Sequence, residues 1–411
     1  MLACAFNRQE QETKSEIISE LELLADTAGY EVLDSISQTL DVPNPKHYLG
    51  TGKLKELKRL IQVYEPDVVF IRHNLTPSQR KNLIRELGIE IIDRTQLILE
   101  IFEKHAFTLE GKLEVELARL RYELPFFKGK GGELSNPGGG IGTRGPGEKR
   151  LELDRRKALQ RMAFLKKELK KLQLDRQIMR KKRQKVGMPL IALVGYTNAG
   201  KSSLMNRICE SGVLVEDKLF STLDTRIRKS KLPSGREVLI IDTVGFIREL
   251  PHQLVESFRS TLEEISYADF LLVVVDASTP NEDGRLRVIN ETLVEIKAAD
   301  VPKMLVFNKI DKCTNERIQF LEGKFPESVF VSALKDINID ELKHRLDKAI
   351  NEMRERYVLR MKIGDYEEVL KIRGKLEILS EKFNGDSVEI EYITDNVTNK
   401  RLLNRLKEAG R

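Results

Sequence analysis

The chain has 411 residues, of which 33% are charged and 40% hydrophobic, and its formal net charge is +6. This length allows roughly two to four domains with separate cores. No apolar run reaches the roughly 20 residues of a membrane-spanning helix, so we expect no stable membrane insertion. The cysteines Cys4, Cys209 and Cys313 have no metal-binding spacing. Their scatter and odd number fit a reducing cytoplasm. The residues from Met1 to Arg8 have neither a basic segment nor a long apolar core, so we expect no signal peptide. We also expect a monomer.

Residues 1–106 alternate between helical and extended patterns. Extended segments are predicted over residues 30–36, 66–71 and 89–93, and helical ones over 16–24, 54–64 and 96–105. Thr76-Pro77-Ser78-Gln79 combines an N-cap threonine, a proline at the first helical position and a glutamine three residues after the cap. That combination predicts a helix start with a capping box. The alternation predicts an N-terminal α/β domain with a mostly parallel sheet.

Within this domain, Gly50-Thr51-Gly52-Lys53 opens the helix predicted to run to Tyr64. A glycine-rich helix start can bind an anion through its unpaired amides. The other interpretation is a turn that only begins the helix and binds nothing. The residues favour the turn over the anion site. Whether the domain binds a second nucleotide stays open.

A helical hairpin is predicted over residues 107–187. Leucines recur at helical spacing from Leu109 to Leu124, and a helix is predicted from about Leu151 to Lys185. Apolar residues repeat every three or four positions, which is typical of an antiparallel coiled-coil seam. The seam residues are predicted to be Leu113, Leu117, Leu120, Leu159, Met162, Leu165, Leu169 and Leu172.

The hairpin also carries a concentrated positive charge. Residues 151–187 hold 14 lysines and arginines against 4 aspartates and glutamates, a local charge of +10, which leaves −4 for the rest of the chain. The glycine-rich stretch 129–147 links the two helices, and Arg144, Lys149 and Arg150 add charge at this tip. A charge run is often only a solvated face, but an apolar seam beside a glycine-arginine tip favours contact with nucleic acid.

The residues 195–202, Gly-Tyr-Thr-Asn-Ala-Gly-Lys-Ser, follow an apolar strand and precede a helix. This is the G-x-x-x-x-G-K-[ST] phosphate loop in its proper context. Glycines let successive amides point at phosphate oxygens, and the helix N-terminus adds attraction for anions. Lys201 is expected to reach the β- and γ-phosphates, and the Ser202 hydroxyl to hold Mg²⁺.

Three further motifs follow in order at strand ends. Asp242-Thr243-Val244-Gly245 places a carboxylate near Mg²⁺ and the Gly245 amide near the γ-phosphate. Asn308-Lys309-Ile310-Asp311 offers a carboxylate to guanine N1 and N2, which adenine cannot match. Ser332-Ala333-Leu334 places the Ala333 amide near guanine O6. Each segment alone could be an ordinary turn, but together and in this order they predict GTP binding.

The predicted fold class is α/β, with a P-loop GTPase domain between smaller domains. The boundaries are 1–106 for the N-terminal α/β domain, 107–187 for the hairpin, 188–352 for the GTPase domain and 353–411 for a small C-terminal α/β domain. In the last of these we expect a helical stretch, a strand over Ser387–Ile393 and a helix from Asn399 to Glu408. The residues of this domain do not indicate its function.

Several segments resemble the HflX family of ribosome-associated GTPases, of the Obg–HflX class. They are the segments at residues 50–53, 93–99, 138–148, 220–224 and 242–252, within a resemblance that covers about residues 45–350. The resemblance implies binding to the large ribosomal subunit and to ribosomal RNA through residues 128–185, with splitting or rescue of stalled ribosomes. It also implies Thr222 as a Mg²⁺ ligand. The family usually has a proline after Asp224 where this chain has Thr225, so the role of Thr225 stays open.

Four residues are assigned to catalysis: Lys201, Asn198, Thr222 and Gly245. Mg²⁺ is assigned to Ser202, Thr222 and Asp242. The residues assigned to GTP or GDP are Gly195, Tyr196, Thr197, Asn198, Ala199, Gly200, Lys201, Ser202, Ser203, Phe220, Thr222, Asp242, Gly245, Asn308, Lys309, Asp311, Ser332, Ala333 and Leu334.

Phe246 follows Asp242-Thr243-Val244-Gly245 at the position where many GTPases have a glutamine that orients the attacking water. A phenylalanine cannot hydrogen-bond water, so slow intrinsic hydrolysis is expected. Asn198 could help by holding K⁺ against the phosphates, or it could only brace the loop.

The alternative functions are of three kinds. A GTPase that recruits only proteins would not need the basic hairpin. A GTPase in RNA processing or ribosome assembly would use it differently, whereas an RNA helicase or modifying enzyme would need motifs that the sequence lacks.

Overall fold

The computed structural model describes residues 1–7, 14–128, 146–186, 188–209, 226–243, 245–246, 259–373, 376–395, 398–399, 402–403 and 405–406. The chain divides into two compact units. One is built mainly from Met1–Leu172, and the other mainly from Gln173–Val215, Thr225–Arg248 and Ser260–Arg411.

The first unit contains a four-stranded, fully parallel sheet in the order β2-β1-β3-β4. Its elements are β1 (Leu2–Phe6), α1 (Lys14–Thr27), β2 (Ser35–Thr39), α2 (Thr51–Tyr64), β3 (Val68–Ile71), α3 (Pro77–Leu87), β4 (Glu90–Asp93), α4 (Arg94–His105) and α5 (Leu109–Glu123). The parallel sheet predicted from the alternating pattern is confirmed. Strand β1 is not predicted from the sequence, because Leu2–Phe6 is a short apolar run without alternation.

Local chemistry sets the helix starts in this unit. Thr76 accepts from the Gln79 amide, and the Gln79 side chain accepts from the Thr76 amide, so the capping box at α3 is present as predicted. Asp93 caps α4 in a similar way, by accepting from the Gln96 amide. These bonds satisfy helix N–H groups that have no partner within the helix.

The hairpin pairs α5 with α6 (Pro146–Val186), and a short 3₁₀ helix, Leu124–Lys128, follows α5. Leu117, Met162, Leu165 and Leu169 form a buried cluster, against which Leu113 and Leu120 pack. The predicted seam is wrong at Leu159, which is 44% exposed. Apolar residues at every third or fourth position form a stripe on the helix that is wider than the face covered by one partner helix. Some residues of the stripe, such as Leu159, therefore stay exposed. Arg144 lies outside the described residues, and only the backbone is described at Lys149 and Arg150.

The second unit contains a six-stranded sheet in the order β10-β9-β8-β5-β7-β6. Its strands are β5 (Leu190–Gly195), β6 (Arg226–Lys231), β7 (Glu237–Asp242), β8 (Phe270–Asp276), β9 (Lys303–Asn308) and β10 (Val329–Phe330). All neighbours pair in parallel except β6, which pairs antiparallel with β7. The predicted P-loop GTPase fold is confirmed. Strand β6 is rich in basic residues, whereas the other strands of this sheet are mainly apolar.

Helices of this unit connect the strands and complete the core. They are α7 (Lys201–Ile208), α8 (Arg259–Ser266), α9 (Glu282–Glu295), α10 (Asn315–Lys324) and α11 (Ile339–Glu352). Side chains of β5, β7 and β8 pack with α7 and α11 in one buried cluster. Strand β5 lies between β7 and β8, so the strand order reverses at β5. The loop after β5 therefore lies at the topological switch point, where open α/β sheets bind ligands.

The C-terminal segment differs from its prediction. Instead of a helical stretch after residue 353, it has an antiparallel sheet in the order β11-β13-β12, made of β11 (Arg354–Lys362), β12 (Glu377–Asn384) and β13 (Ser387–Asp395). A short 3₁₀ helix, Ile363–Asp365, and α12 (Tyr366–Leu370) lie between β11 and β12. The predicted strand within residues 387–393 is present. Described parts of the final predicted helix are helical, and Glu408 lies outside the described residues.

Candidate nucleotide site

The phosphate loop joins β5 to α7 in a conformation that glycine makes possible. Gly195 has φ +155° and Gly200 has φ +87°. An added Cβ would lie 2.2 Å from the Val274 carbonyl oxygen at Gly195 and 2.2 Å from Asn308 Nδ2 at Gly200. Both glycines are therefore required by close approach as well as by backbone geometry.

Lys201 is buried at the start of α7. Its ammonium donates to the carbonyls of Gly195 (3.1 Å) and Tyr196 (2.8 Å), two residues of the phosphate loop. Burial lowers the pKa of Lys201 to about 8; Asp242 raises it in part, and Lys309 lowers it further. The positive charge of this ammonium is therefore only partly balanced by neighbouring groups until an anion binds. That electrostatic situation suits a phosphate ligand.

Ser202 and Asp242 lie side by side, although they come from different elements. The Ser202 hydroxyl donates to Asp242 Oδ2 over 2.6 Å. A hydroxyl and a carboxylate are hard oxygen donors of the kind that Mg²⁺ prefers, and Mg²⁺ usually completes its shell with phosphate and water. Among the described residues there is no group of three or more His, Cys, Asp or Glu side chains suited to a metal. The adjacent pair fits Mg²⁺ held partly by a nucleotide.

The segment after β7 returns to the phosphate loop. The Thr197 amide donates to the Phe246 carbonyl (2.8 Å), and the Phe246 amide donates to the Gly195 carbonyl (2.9 Å). A Cβ on Gly245 would lie 2.7 Å from Thr197 Cα, so this glycine is fixed by close packing. Phe246 is only 4% exposed, which places its ring in the protein interior.

Asn308 links the phosphate loop to the opposite end of the site. Its Nδ2 donates to the Ala199 carbonyl (2.9 Å), and its Oδ1 accepts from the Ala333 amide (3.0 Å). The Ala333 amide was expected to meet guanine O6, and here its partner is Asn308. Asp311 accepts from the Ser332 hydroxyl over 2.5 Å, which orients the carboxylate. Leu334 follows and is 67% exposed.

Lys309 connects two loops through its ammonium. It lies 2.9 Å from Asp276 Oδ2 at the end of β8 and donates to Asn198 Oδ1 over 3.2 Å. Asn198 itself has φ +58°, a left-handed conformation that asparagine tolerates. The amide oxygen proposed for K⁺ thus has an ammonium as its neighbour. Asp276 was missed from the sequence because a lone aspartate at a strand end resembles a turn residue.

Arg207, on α7, was also missed. It donates to the carbonyls of Ala333 (2.8 Å) and Leu334 (3.1 Å) and so joins the phosphate-loop helix to the segment that contains Ser332. Ala333 lies 126 residues away along the chain, and nothing in the local sequence around Arg207 marks this contact. Ser203 lies in the first turn of α7, next to Ser202. Phe220 and Thr222 lie outside the described residues.

The phosphate loop, the Asp242 strand end, the Asn308–Asp311 segment and the Ser332–Leu334 segment meet at one edge of one sheet. These features define a P-loop GTPase. Family models match three successive regions: "GTP-binding GTPase N-terminal" over residues 15–103, "GTP-binding GTPase Middle Region" over 105–183 and "50S ribosome-binding GTPase" over 190–309.

Sequence relatives define the family. The chain is 43% identical to GTPase HflX of Caldanaerobacter subterraneus subsp. tengcongensis, covering 95% of this chain and 90% of that protein. It is 39% identical to GTPase HflX of Escherichia coli, covering 85% of this chain and 83% of that one. The chain belongs to the GTPase HflX family. It is a GTP-binding protein and a hydrolase of GTP, as its family is.

A solved structure is also similar. It is that of a GTP-binding protein from the archaeon Sulfolobus solfataricus in complex with GDP, at 28% identity. The match covers 84% of this chain and 97% of that one, with a TM-score of 0.46.

Proposed function

We propose that this GTPase acts on the large ribosomal subunit, where it splits or rescues stalled ribosomes. The observation that carries the proposal is the match of residues 190–309 to a family described as ribosome-binding, in a chain whose α6 is strongly basic. The +10 charge of residues 151–187 suits a polyanionic partner, and residues 128–185 are the proposed contact with ribosomal RNA. The protein is proposed to be a cytoplasmic monomer, and among the described residues no helix is long and apolar enough to cross a bilayer.

The domain boundaries predicted from the sequence stay part of this proposal, as do the roles in the nucleotide site. Lys201 and the Gly245 amide are assigned to the phosphates, and Asp311 to the guanine base. Ser202 and Asp242 are assigned to Mg²⁺, with Thr222 as a third ligand. When bound, Mg²⁺ neutralises negative charge that develops on the phosphates.

K⁺ is proposed as a second cation at Asn198. Support comes from the position of Asn198 in the phosphate loop, but its Oδ1 accepts from Lys309, so binding requires this contact to open. We expect faster GTP hydrolysis in K⁺ than in Na⁺ for the parent and no such difference for Asn198→Ala. Equal rates in both salts for the parent would leave Asn198 as a brace of the loop.

Sedimentation with purified large subunits and a non-hydrolysable GTP analogue tests the proposed partner. The parent should co-sediment at physiological salt. A variant with Arg144, Lys149 and Arg150 changed to glutamine should bind less, with a flatter dependence on salt and unchanged GTP affinity. A control that changes Lys229, Lys231 and Arg236 to glutamine removes the same charge from the β6–β7 hairpin and should bind nearly as the parent does.

If the parent stayed in the supernatant at every salt concentration, the proposed partner would be wrong. The function would then be that of a GTPase switch that recruits proteins. If the two triple variants bound large subunits equally well, the hairpin tip would not be part of the interface. A GTPase in ribosome assembly would bind immature subunits in preference to mature ones. The sedimentation experiment therefore uses both immature and mature large subunits.

A further inference from the structure

The loop between β8 and α9, residues 277–281, is held by hydrogen bonds to Asp276, the last residue of β8. Oδ1 of Asp276 accepts from both the Ser278 amide (2.9 Å) and the Ser278 hydroxyl (2.6 Å). The Thr279 hydroxyl donates to the Asp276 carbonyl over 3.0 Å. With Oδ1 occupied in this way, Oδ2 faces the Lys309 ammonium 2.9 Å away. The conformation of the loop therefore decides where Asp276 holds Lys309.

Arg317, on α10, binds this loop from outside the nucleotide site. Its Nε donates to the Ala277 carbonyl (3.2 Å), and its Nη2 donates to the Thr279 carbonyl (3.1 Å). The same Nη2 donates to Glu282 Oε2 over 2.8 Å. The planar guanidinium can satisfy acceptors in several directions at once, which an ammonium cannot do with the same fixed geometry.

Glu282 keeps the guanidinium in place. It is 5% exposed, and its second oxygen accepts from Lys324 Nζ over 3.0 Å. Burial alone would raise the pKa of Glu282, but hydrogen bonds from Arg317, from its own backbone amide and from Lys324 together outweigh burial and lower the pKa to about 2. The carboxylate is thus ionised at neutral pH and holds two cations. Of these two, only Arg317 has a bond to a loop carbonyl among the contacts of the described residues.

We propose that Arg317 is a positioning residue for guanine-nucleotide binding, acting through Asp276 and Lys309. By fixing the carbonyls of Ala277 and Thr279, it sets the loop from which Asp276 holds Lys309. Lys309 in turn reaches Asn198 in the phosphate loop. The inference rests on the proposed guanine site and adds a residue that touches neither base nor phosphate. The alternative is that Arg317 only stabilises the packing of α9 against α10.

Arg317→Met and Lys324→Met form a matched pair for the test. Both remove a cation from Glu282, but only the first removes bonds to the loop. Fluorescent GDP should bind Arg317→Met roughly tenfold more weakly, mainly through faster dissociation, and Lys324→Met within about twofold of the parent. The maximal GTPase rate of Lys324→Met should stay near that of the parent, because this variant keeps every bond from Arg317 to the loop. Equal affinities for the two variants would overturn the proposal.

A second arm tests the route through Asp276. Asp276→Asn should also weaken GDP binding, and its combination with Arg317→Met should be little weaker than the worse single variant. Additive effects would show that Arg317 does not act through Asp276. Arg317→Met leaves Glu282 with one partner and could fail to fold, so Arg317→Met is also made with Glu282→Gln, which removes the buried charge. Parent-like GDP affinity in that folded variant would overturn the proposal as well.

Asp311→Asn separates failure of this proposal from failure of the guanine site. It should lose affinity for GTP and gain affinity for xanthine nucleotides, whose O2 matches the new amide. Unchanged GTP affinity in Asp311→Asn would make the base site itself wrong. If Asp311→Asn lost GTP affinity as expected while Arg317→Met kept the GDP affinity of the parent, only the positioning role of Arg317 would be wrong.

Discussion

Lys201 is the residue whose chemistry the protein alters most clearly at the nucleotide site. It is 6% exposed and bonded to two carbonyls, and burial lowers the pKa of its ammonium to about 8. Nucleotide phosphates favour the charged form and should raise that pKa in the complex. Binding therefore takes up a proton at pH values between the pKa of Lys201 in the unliganded protein and its higher pKa in the complex.

We expect the association constant for GDP to be nearly level below about pH 8 and to fall above it, by up to about tenfold per pH unit. Titration of fluorescent GDP from about pH 7 to about pH 9 measures this fall. Lys201→Arg keeps its charge throughout that range and should show a flatter profile, with weaker binding overall. The same slope in both proteins would assign the proton to another group.

Residue types that the chemistry demands could be predicted from the sequence. The phosphate loop and the Asn308–Asp311 segment need particular side chains at fixed spacing, and the structure brings these segments together at one edge of the sheet. Asp276, Arg207 and Arg317 could not be predicted in the same way. Their contacts join segments distant along the chain, such as Arg317 and Ala277, which are 40 residues apart.

At the scale of elements, periodicity predicts where helices lie more reliably than which face they bury. Leu165 is fully buried in the hairpin seam, whereas Leu159, on the same helix and in the same predicted stripe, is 44% exposed. The salt bridge from Arg161 to Glu116, 2.7 Å long, shows how polar contacts lie next to the seam. Exposed ion pairs of this kind contribute little, so the apolar contacts hold the hairpin.

Leu165→Ala should lower the free energy of unfolding of the hairpin by about 2–4 kcal/mol, because it leaves a cavity among packed side chains. Leu159→Ala, the matched control, should change it by less than about 0.5 kcal/mol. Hydrogen exchange of α5 and α6 amides in the full-length protein reports this directly. Similar exchange rates in both variants would mean that the seam does not hold the two helices together.

The C-terminal strands show a different limit of periodicity. In β11, Arg354–Lys362, every second residue from Tyr357 to Met361 packs into or against the small core, while Val358 between them is 63% exposed. Charged residues at every second position suit a sheet with one face in water. Arginine, glutamate, leucine, methionine and lysine also have good helix propensity. Pairing with β13, which lies later in the chain, favours the strand.

At the scale of the whole molecule, this GTPase of the HflX family is proposed to act with the ribosome. The catalytic arrangement makes such a partner useful. Phe246 is buried and offers no polar atom to an attacking water. We propose that, besides K⁺ at Asn198, groups that a partner orders or supplies accelerate hydrolysis, as other GTPases obtain from their activators.

GTP turnover, measured with and without purified large ribosomal subunits, tests the proposed function most directly. We expect slow turnover by the protein alone and at least about tenfold faster turnover with subunits, saturating as they bind. The variant in which Arg144, Lys149 and Arg150 are glutamine should need more subunits to reach the same maximal rate. Turnover that stays constant at subunit concentrations at which the parent co-sediments would contradict the proposed function.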